Sequence, residues 1–189
     1  MNKRTIILLT LALTLGGCAS GSNEYHRMQA KRVADPVAAR ALSDEALAAL
    51  DAGETEEAET LLERALNADV GFGPAHNNLG KVYFNRGELY RAAWEFEYAI
   101  KLMPHHPEPK NNLALVLETV RRFDEAVIQY EEALELEPDN PELIGNLART
   151  RLRRGDTPGD VKPLLMDLIL KDTRADWVRW AKQELARSR

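Results

Sequence analysis

The sequence predicts an all-α fold, an α-solenoid of stacked helical hairpins closed by a final helix. Three observations carry that prediction. The chain repeats itself every 34 residues: Asn77-Asn78-Leu79-Gly80 returns as Asn111-Asn112-Leu113-Ala114 and again as Gly145-Asn146-Leu147-Ala148. Small residues recur in the same register, with Ala46, Gly80, Ala114 and Ala148 in one row and Ala58, Ala92 and Ala126 in another. Helix breakers divide each repeat, Gly53, Gly87 and Gly155 in the middle and Pro104 and Pro138 at the ends.

Four units follow without a gap: 39–72, 73–106, 107–140 and 141–174. Each reads as two helices. In the third unit the first helix runs from about Glu108 to Val120, the break is Arg121-Arg122-Phe123, and the second helix runs from about Asp124 to Leu136. The alanine rows let paired helices approach closely, and Leu62, Phe96, Tyr130 and Leu164 are expected to fill the space beside them. A single hairpin leaves an apolar side uncovered, so the units are stable only as a stack. Residues 175–189 supply the cap, where Val178, Ala181 and Leu185 share one helical face, Trp177 and Trp180 lie nearby, and the other face is charged.

This pattern resembles the tetratricopeptide repeat (TPR) family. Unit two carries its signature in Gly80, Tyr83, Ala92, Phe96, Ala99 and Pro104. Unit one departs at Glu45. Unit four departs at Arg151, Asp160 and Asp167, and its second helix contains Pro163. The resemblance implies four TPR helix-turn-helix repeats whose first helices line a concave groove that binds an extended peptide or a partner helix. Projected onto this chain, the groove consists of Asn77, Asn78, Lys81, Phe84 and Asn85 from unit two, Asn111, Asn112, Leu115 and Glu118 from unit three, and Asn146, Arg149 and Arg153 from unit four. The row Asn78, Asn112, Asn146 offers donors and acceptors that could hold a peptide backbone; the other expectation for these amides is that they support neighbouring helices. A carboxylate-gripping clamp is not rebuilt, because Asn77 and Glu108 stand where lysines would be needed.

The N-terminus reads as an address. Lys3 and Arg4 precede an apolar run, Thr5 to Leu15, and small residues follow. Leu15-Gly16-Gly17-Cys18 resembles the lipobox of bacterial lipoproteins. The resemblance implies that residues 1–17 are a signal peptide removed before Cys18, and that Cys18 carries a diacylglyceryl thioether and a further acyl chain, palmitate among the fatty acids. Ala19 after the cysteine implies an outer-membrane lipoprotein facing the periplasm, or the cell membrane in a host with one membrane. An ordinary secretory signal is the other reading. Residues 18–38 would be the lipidated cysteine and a polar linker, with Glu24 to Ala34 able to form a helix. The 17 residues from Ala19 to Asp35 reach about 22 Å as a coil.

Charge bounds the partners. The chain carries a formal net charge of −5, which points away from nucleic acid. Charge is also uneven, with a net of −12 over residues 39–140 and +4 over 141–189, where Arg149, Arg151, Arg153 and Arg154 share one helix. No catalytic constellation, metal-ligand spacing or cofactor motif is present. His105-His106 falls in a turn between repeats, and the run Glu54, Glu56, Glu57, Glu59, Glu63 reads as a solvated face. The expected function is therefore a membrane-anchored, non-enzymatic scaffold or adaptor that binds a protein or peptide segment in envelope assembly (pilus, secretion or cell-wall machinery). The alternatives are a self-associating structural lipoprotein, hence a homo-oligomer, and binding of cell wall or anionic lipid through the basic C-terminal end.

Overall fold

The computed structural model describes residues 33–187. The expected signal peptide, Cys18 and the expected linker up to residue 32 lie outside the described residues, and so does most of the expected helix at Glu24 to Ala34; its last residues, Val33 and Ala34, are not helical. The described residues form nine helices and no strand: α1 (Pro36–Asp51), α2 (Thr55–Ala68), α3 (Gly73–Asn85), α4 (Leu89–Leu102), α5 (Pro107–Thr119), α6 (Phe123–Leu136), α7 (Pro141–Arg154), α8 (Lys162–Lys171) and α9 (Ala175–Arg187). Among them no helix is long and apolar enough to cross a membrane.

The ends of the helices follow from local chemistry. α1, α3, α5 and α7 each begin with proline in the first turn, where its missing N–H is no loss. The Asp35 carboxylate accepts from Ala38 N at 2.9 Å, and Asn140 Oδ1 accepts from Glu142 N at 2.9 Å, satisfying amides that the helix leaves open. Each of these helices is followed by a residue in the left-handed region: Gly53 (φ 80°), Gly87 (φ 78°), Arg121 (φ 64°) and Gly155 (φ 115°). The amide after it then closes back on the helix, Glu54 to Ala49 O, Glu88 to Tyr83 O, Arg122 to Leu117 O and Asp156 to Arg151 O. The turn is therefore one backbone motif repeated four times.

Each hairpin closes over its small residues. A Cβ on Gly80 would come within 2.6 Å of the Phe96 ring, so the ring lies directly on the helix backbone. Ala46, Ala114 and Ala148 hold the same position and are fully buried, as are Leu62 and Tyr130 in the rows facing them. One apolar cluster runs from Ala39 to Leu147, and a second joins Ile144, Ala148, Val161, Leu165, Leu168 and Ala181. At the junction of units one and two, His76 Nε2 is hydrogen-bonded to the Val70 carbonyl (3.0 Å) and Nδ1 to the buried Glu95 carboxyl (2.6 Å).

Unit four corrects two expectations. α8 has ten residues and begins at Lys162, whereas α6 in the preceding unit begins at Phe123, which is equivalent to residue 157. Thr157 and Asp160 bond each other's backbone amides and hold residues 157–160 outside the helix, so Pro163 falls in the first helical turn, the position that tolerates it. The late start also changes which leucine enters the core. Leu165 and Leu168 are fully buried, while Leu164 is only partly so. The final helix behaves as a cap in that Ala181 is its one buried residue, with Trp177, Trp180 and Leu185 half-covering the second cluster; Val178 stays outside that cluster.

Candidate functional site

The first-helix face begins with a network of amides. Asn78 Nδ2 lies 3.5 Å from Ser43 Oγ, Asn112 Nδ2 donates to Asn77 Oδ1 at 2.9 Å, and Asn146 Nδ2 donates to Asn111 Oδ1 at 3.0 Å. Each contact spans 35 residues, one more than the repeat, so it joins neighbouring positions of successive first helices. Asn77, Asn78, Asn111 and Asn146 are buried, and only Asn112 is half-exposed. The row Asn78, Asn112, Asn146 is thus not a free ladder for a peptide backbone: its donors tie one repeat to the next. Such pairs are favourable because a buried amide left alone costs about 1–3 kcal/mol.

The arginines of unit four are committed as well. The Glu118 carboxylate on α5 is buried and accepts from Tyr130 Oη (3.2 Å), from Arg149 Nε and Nη2 (3.3 and 3.4 Å) and from Arg153 Nη1. Burial alone would raise this carboxyl. Hydrogen bonds and charge from Arg149 and Arg153 outweigh it and hold Glu118 below the usual carboxylate range. Arg149 also donates to Asn146 Oδ1 at 3.0 Å, which links the ion cluster to the amide network. Arg151 and Arg154 bind Asp156 at 2.9 and 2.7 Å and draw its carboxyl down to about 2, Arg154 contributing most. The basic cluster on α7 is therefore partly neutralised, two arginines sharing Glu118 and two sharing Asp156. The acidic run on α2 is likewise not wholly solvated, since Glu59 pairs with Arg86 and lies 3.7 Å from Arg91.

Two open clefts lie on this face among the described residues. The first, about 500 Å³, is lined by Lys81, Glu108, Asn111 and Asn112 from α3 and α5, by His106, Glu137 and Asn140 from the turns between repeats, and by Glu142 on α7. Lys81 is ion-paired with Glu108. Burial raises the Glu108 carboxyl, but Lys81, with Asn77 and His106, lowers it further, so it stays below its ordinary range. Glu137 accepts only from Asn140 (2.8 Å), and no cation is ion-paired with Glu137 or Glu142 among the described residues. The second cleft, about 240 Å³, is formed by Arg149, Asp176, Trp177 and Trp180.

Of the residues expected in the groove, Lys81, Asn111 and Asn112 come together in the first cleft and Arg149 borders the second. Phe84 and Leu115 pack partly into the core, Asn85 is exposed, and Arg153 is held by Glu118. The sequence reading missed Glu137, Asn140 and the tryptophan shelf as groove features. The shelf had a partial signal: one further step of 35 residues leads from Gly145 to Trp180, although the ring that packs on Gly145 is that of Trp177. No group of three or more His, Cys, Asp or Glu side chains is placed to hold a metal ion among the described residues.

Sequence models described as tetratricopeptide repeat match residues 8–71, 43–107 and 107–150. Among solved structures, the first TPR of Spaghetti (RPAP3) bound to HSP90 peptide SRMEEVD is 21% identical, with 65% of this chain and 98% of that chain covered and a TM-score of 0.63. YrrB, a TPR protein with an unusual peptide-binding site, is 20% identical, with 88% and 84% covered and a TM-score of 0.67. A Thermobaculum terrenum O-GlcNAc transferase is 23% identical with a TM-score of 0.65; 76% of this chain matches 26% of that one. These structures share the helical-repeat fold with this chain. No curated protein sequence matches it.

Proposed function

Because the chain belongs to the tetratricopeptide repeat family, whose repeats form helical scaffolds, we propose that it is a membrane-tethered adaptor. In this reading Cys18 is lipidated, the repeats face the periplasm from the outer membrane (or the cell membrane, where there is only one), and an extended segment of a partner protein lies across α3, α5, α7 and α9. The observation that carries the binding reading is the pair of open clefts on the first-helix face, resting on amides and ion pairs already fixed by the stack. A site preorganised in this way loses little freedom on binding. The peptide in the Spaghetti structure and the unusual peptide-binding site of YrrB agree with a peptide guest. The peptide SRMEEVD, however, is acidic, and this chain's cleft carries Glu108, Glu137 and Glu142, so its guest is of different charge.

The anchor reading rests on Leu15-Gly16-Gly17-Cys18 following a charged start and an apolar run. With more than one acyl chain, at about 0.8 kcal/mol per buried CH₂, the tether would be stable. Its role in this reading is scaffolding, as for helical repeats that present a surface to a partner.

Two measurements test the parts separately. Metabolic labelling with an alkyne fatty acid marks the parent and not Cys18→Ser, and the variant leaves the membrane fraction; a variant that stays membrane-bound refutes the anchor. A photo-crosslinking side chain placed at Asn85 or Glu142 captures a defined partner in cells, while one at Glu57 on the outer side of α2 does not. Equal yields at the three positions, or none at either groove position, refute the groove.

A further inference from the structure

The amide network ends at α7, and what replaces it is apolar. The rungs Ser43–Asn78, Asn77–Asn112 and Asn111–Asn146 lead to a position where Gly145 stands in place of asparagine, and Trp180 stands one step beyond it on α9. Gly145 has a steric reason: a Cβ there would meet the Trp177 ring at 2.7 Å. Trp177 therefore packs its Cε3–Cζ3 edge directly on the backbone of α7, with Trp180 nearly perpendicular to it at 5.6 Å between ring centroids. Arg149 and Arg174 sit 5.2 and 5.1 Å from the Trp177 ring and fix its orientation. Both indoles stay partly exposed and, with Arg149 and Asp176, line the open cleft of about 240 Å³. That volume suits one bulky side chain.

The shelf adjoins the acidic cleft. Glu142 borders the first cleft and Arg149 the second, on the same helix. Seven helical residues separate them by about 10 Å, the length of about three residues of extended chain. Among the described residues neither Glu137 nor Glu142 forms an ion pair, the Glu142 charge being felt only at longer range by Arg174, whose guanidinium is bound to Asp172, and the other arginines near the shelf are paired or stacked as well.

We infer that the shelf is an anchor subsite of the groove: it takes an aromatic or large aliphatic side chain of the bound segment, while a lysine or arginine about three residues away meets Glu137 and Glu142. The inference rests on the groove reading and adds the chemical character of the guest. Contact of the anchor side chain with the two indoles supplies affinity, and the carboxylates without an ion pair select the charge.

The test uses the full chain in detergent micelles and synthetic nine-residue peptides with an alanine, serine and glycine background. One lysine and one phenylalanine are placed at every separation from one to six residues, and binding is followed by fluorescence anisotropy. The expected result is tightest binding at a separation of about three. Replacing the peptide's phenylalanine by alanine, or its lysine by glutamate, weakens binding tenfold or more. Trp180→Ala removes the preference for phenylalanine and keeps the preference for lysine; Glu137→Gln with Glu142→Gln does the opposite. Where Trp180→Ala impairs folding, Trp94→Phe leaves Trp177 and Trp180 as the only indoles, and their emission shifts with the phenylalanine peptide and not with its alanine counterpart. A library without saturable binding, an unchanged phenylalanine preference in Trp180→Ala, or indole quenching by N-acetylglucosamine oligomers in place of peptides overturns the subsite. Crosslinks at Asn85 and Glu142 that persist alongside such a failure leave the groove reading standing; their absence ends both.

Discussion

Arg121 is the one residue in the four inter-helix turns that adopts a left-handed conformation without being glycine. Its φ of 64° brings its Cβ against its own carbonyl, a cost of about 1–2 kcal/mol for an ordinary L-residue. Glycine removes that cost but gains chain entropy on unfolding, about 0.5–1 kcal/mol. The side chain is exposed, and its guanidinium lies 6.0 Å from the Phe123 ring, at the outer limit of cation–π attraction. The useful comparison is therefore Arg121→Gly against Arg121→Ala. Both lose the guanidinium, and they differ only in how well they bear the backbone angle. The glycine variant is expected to be the more stable by about 1 kcal/mol, or about 2–4 °C in Tm for a chain of this size. The reciprocal change is Gly87→Ala. A Cβ on Gly87 meets nothing within 4 Å, so its loss of about 1 kcal/mol reports the backbone alone. Thermal melts followed by helical circular dichroism measure all three variants with one probe, which matters because repeat arrays need not unfold in a single step. Arg121→Gly no more stable than Arg121→Ala, or a neutral Gly87→Ala, would refute the reasoning.

Gly80→Ala places a methyl 2.6 Å from Phe96 and is expected to lower stability by about 1–3 kcal/mol, with Phe96→Leu, the residue type of Leu62, recovering part of the loss in the double variant. Thr150 is fully buried with Oγ1 unpartnered, at the position that Val82 and Val116 hold in the two preceding units; Thr150→Val is expected to raise Tm, for a gain of about 1 kcal/mol, and a lowered Tm would show that the hydroxyl has a partner. Asp156 is drawn down to about 2 and Glu118 below its usual range, so both stabilise the fold above an unfolded-state value of about 4, and that stabilisation fades as pH falls toward their folded values. Melting temperature is expected to drop from about pH 4 to about pH 2, less steeply in Asp156→Asn, and an equal slope in the variant would contradict the assignment.

The parts of this fold that were legible in the sequence are those fixed by contacts within one repeat. The 34-residue spacing locates the turns at Gly53, Gly87 and Gly155 and the buried rows at Ala46, Gly80, Ala114 and Ala148, because each depends on residues of its own hairpin. The helix ends of unit four were not legible to the same degree. Thr157 and Asp160 form a small loop of their own, and the resulting shift of α8 exchanges Leu164 for Leu165 in the core. The site was harder again, since its polar groups pair between repeats, 35 residues apart. Reading Asn78, Asn112 and Asn146 as equivalents at 34 residues lines them up as a row and conceals that each one's partner is Ser43, Asn77 or Asn111. The doubled Asn77-Asn78 and Asn111-Asn112 carried that information in plain form: an acceptor for the next repeat beside a donor for the previous one.

Charge teaches the same distinction between order along the chain and order in space. By sequence the stack divides into an acidic stretch, net −12 over residues 39–140, and a basic one, net +4 over 141–189. In a solenoid these stretches meet along the first-helix face, and the unlike charges nearest the boundary close on each other: Glu118 of α5 with Arg149 and Arg153 of α7, and Asp124 of α6 with Arg154 at 3.6 Å. The arginines most prominent in the sequence are thereby each engaged with a carboxylate of the stack. Glu137 and Glu142 lie on the basic side of the boundary or beside it, yet every nearby cation is already bound elsewhere. The acidic polarity left for a guest thus extends past the boundary, from Glu137 in the acidic stretch to Glu142 in the basic one. A ligand search guided by the arginine count would look for acids, whereas the paired structure directs it to a basic segment with an apolar anchor.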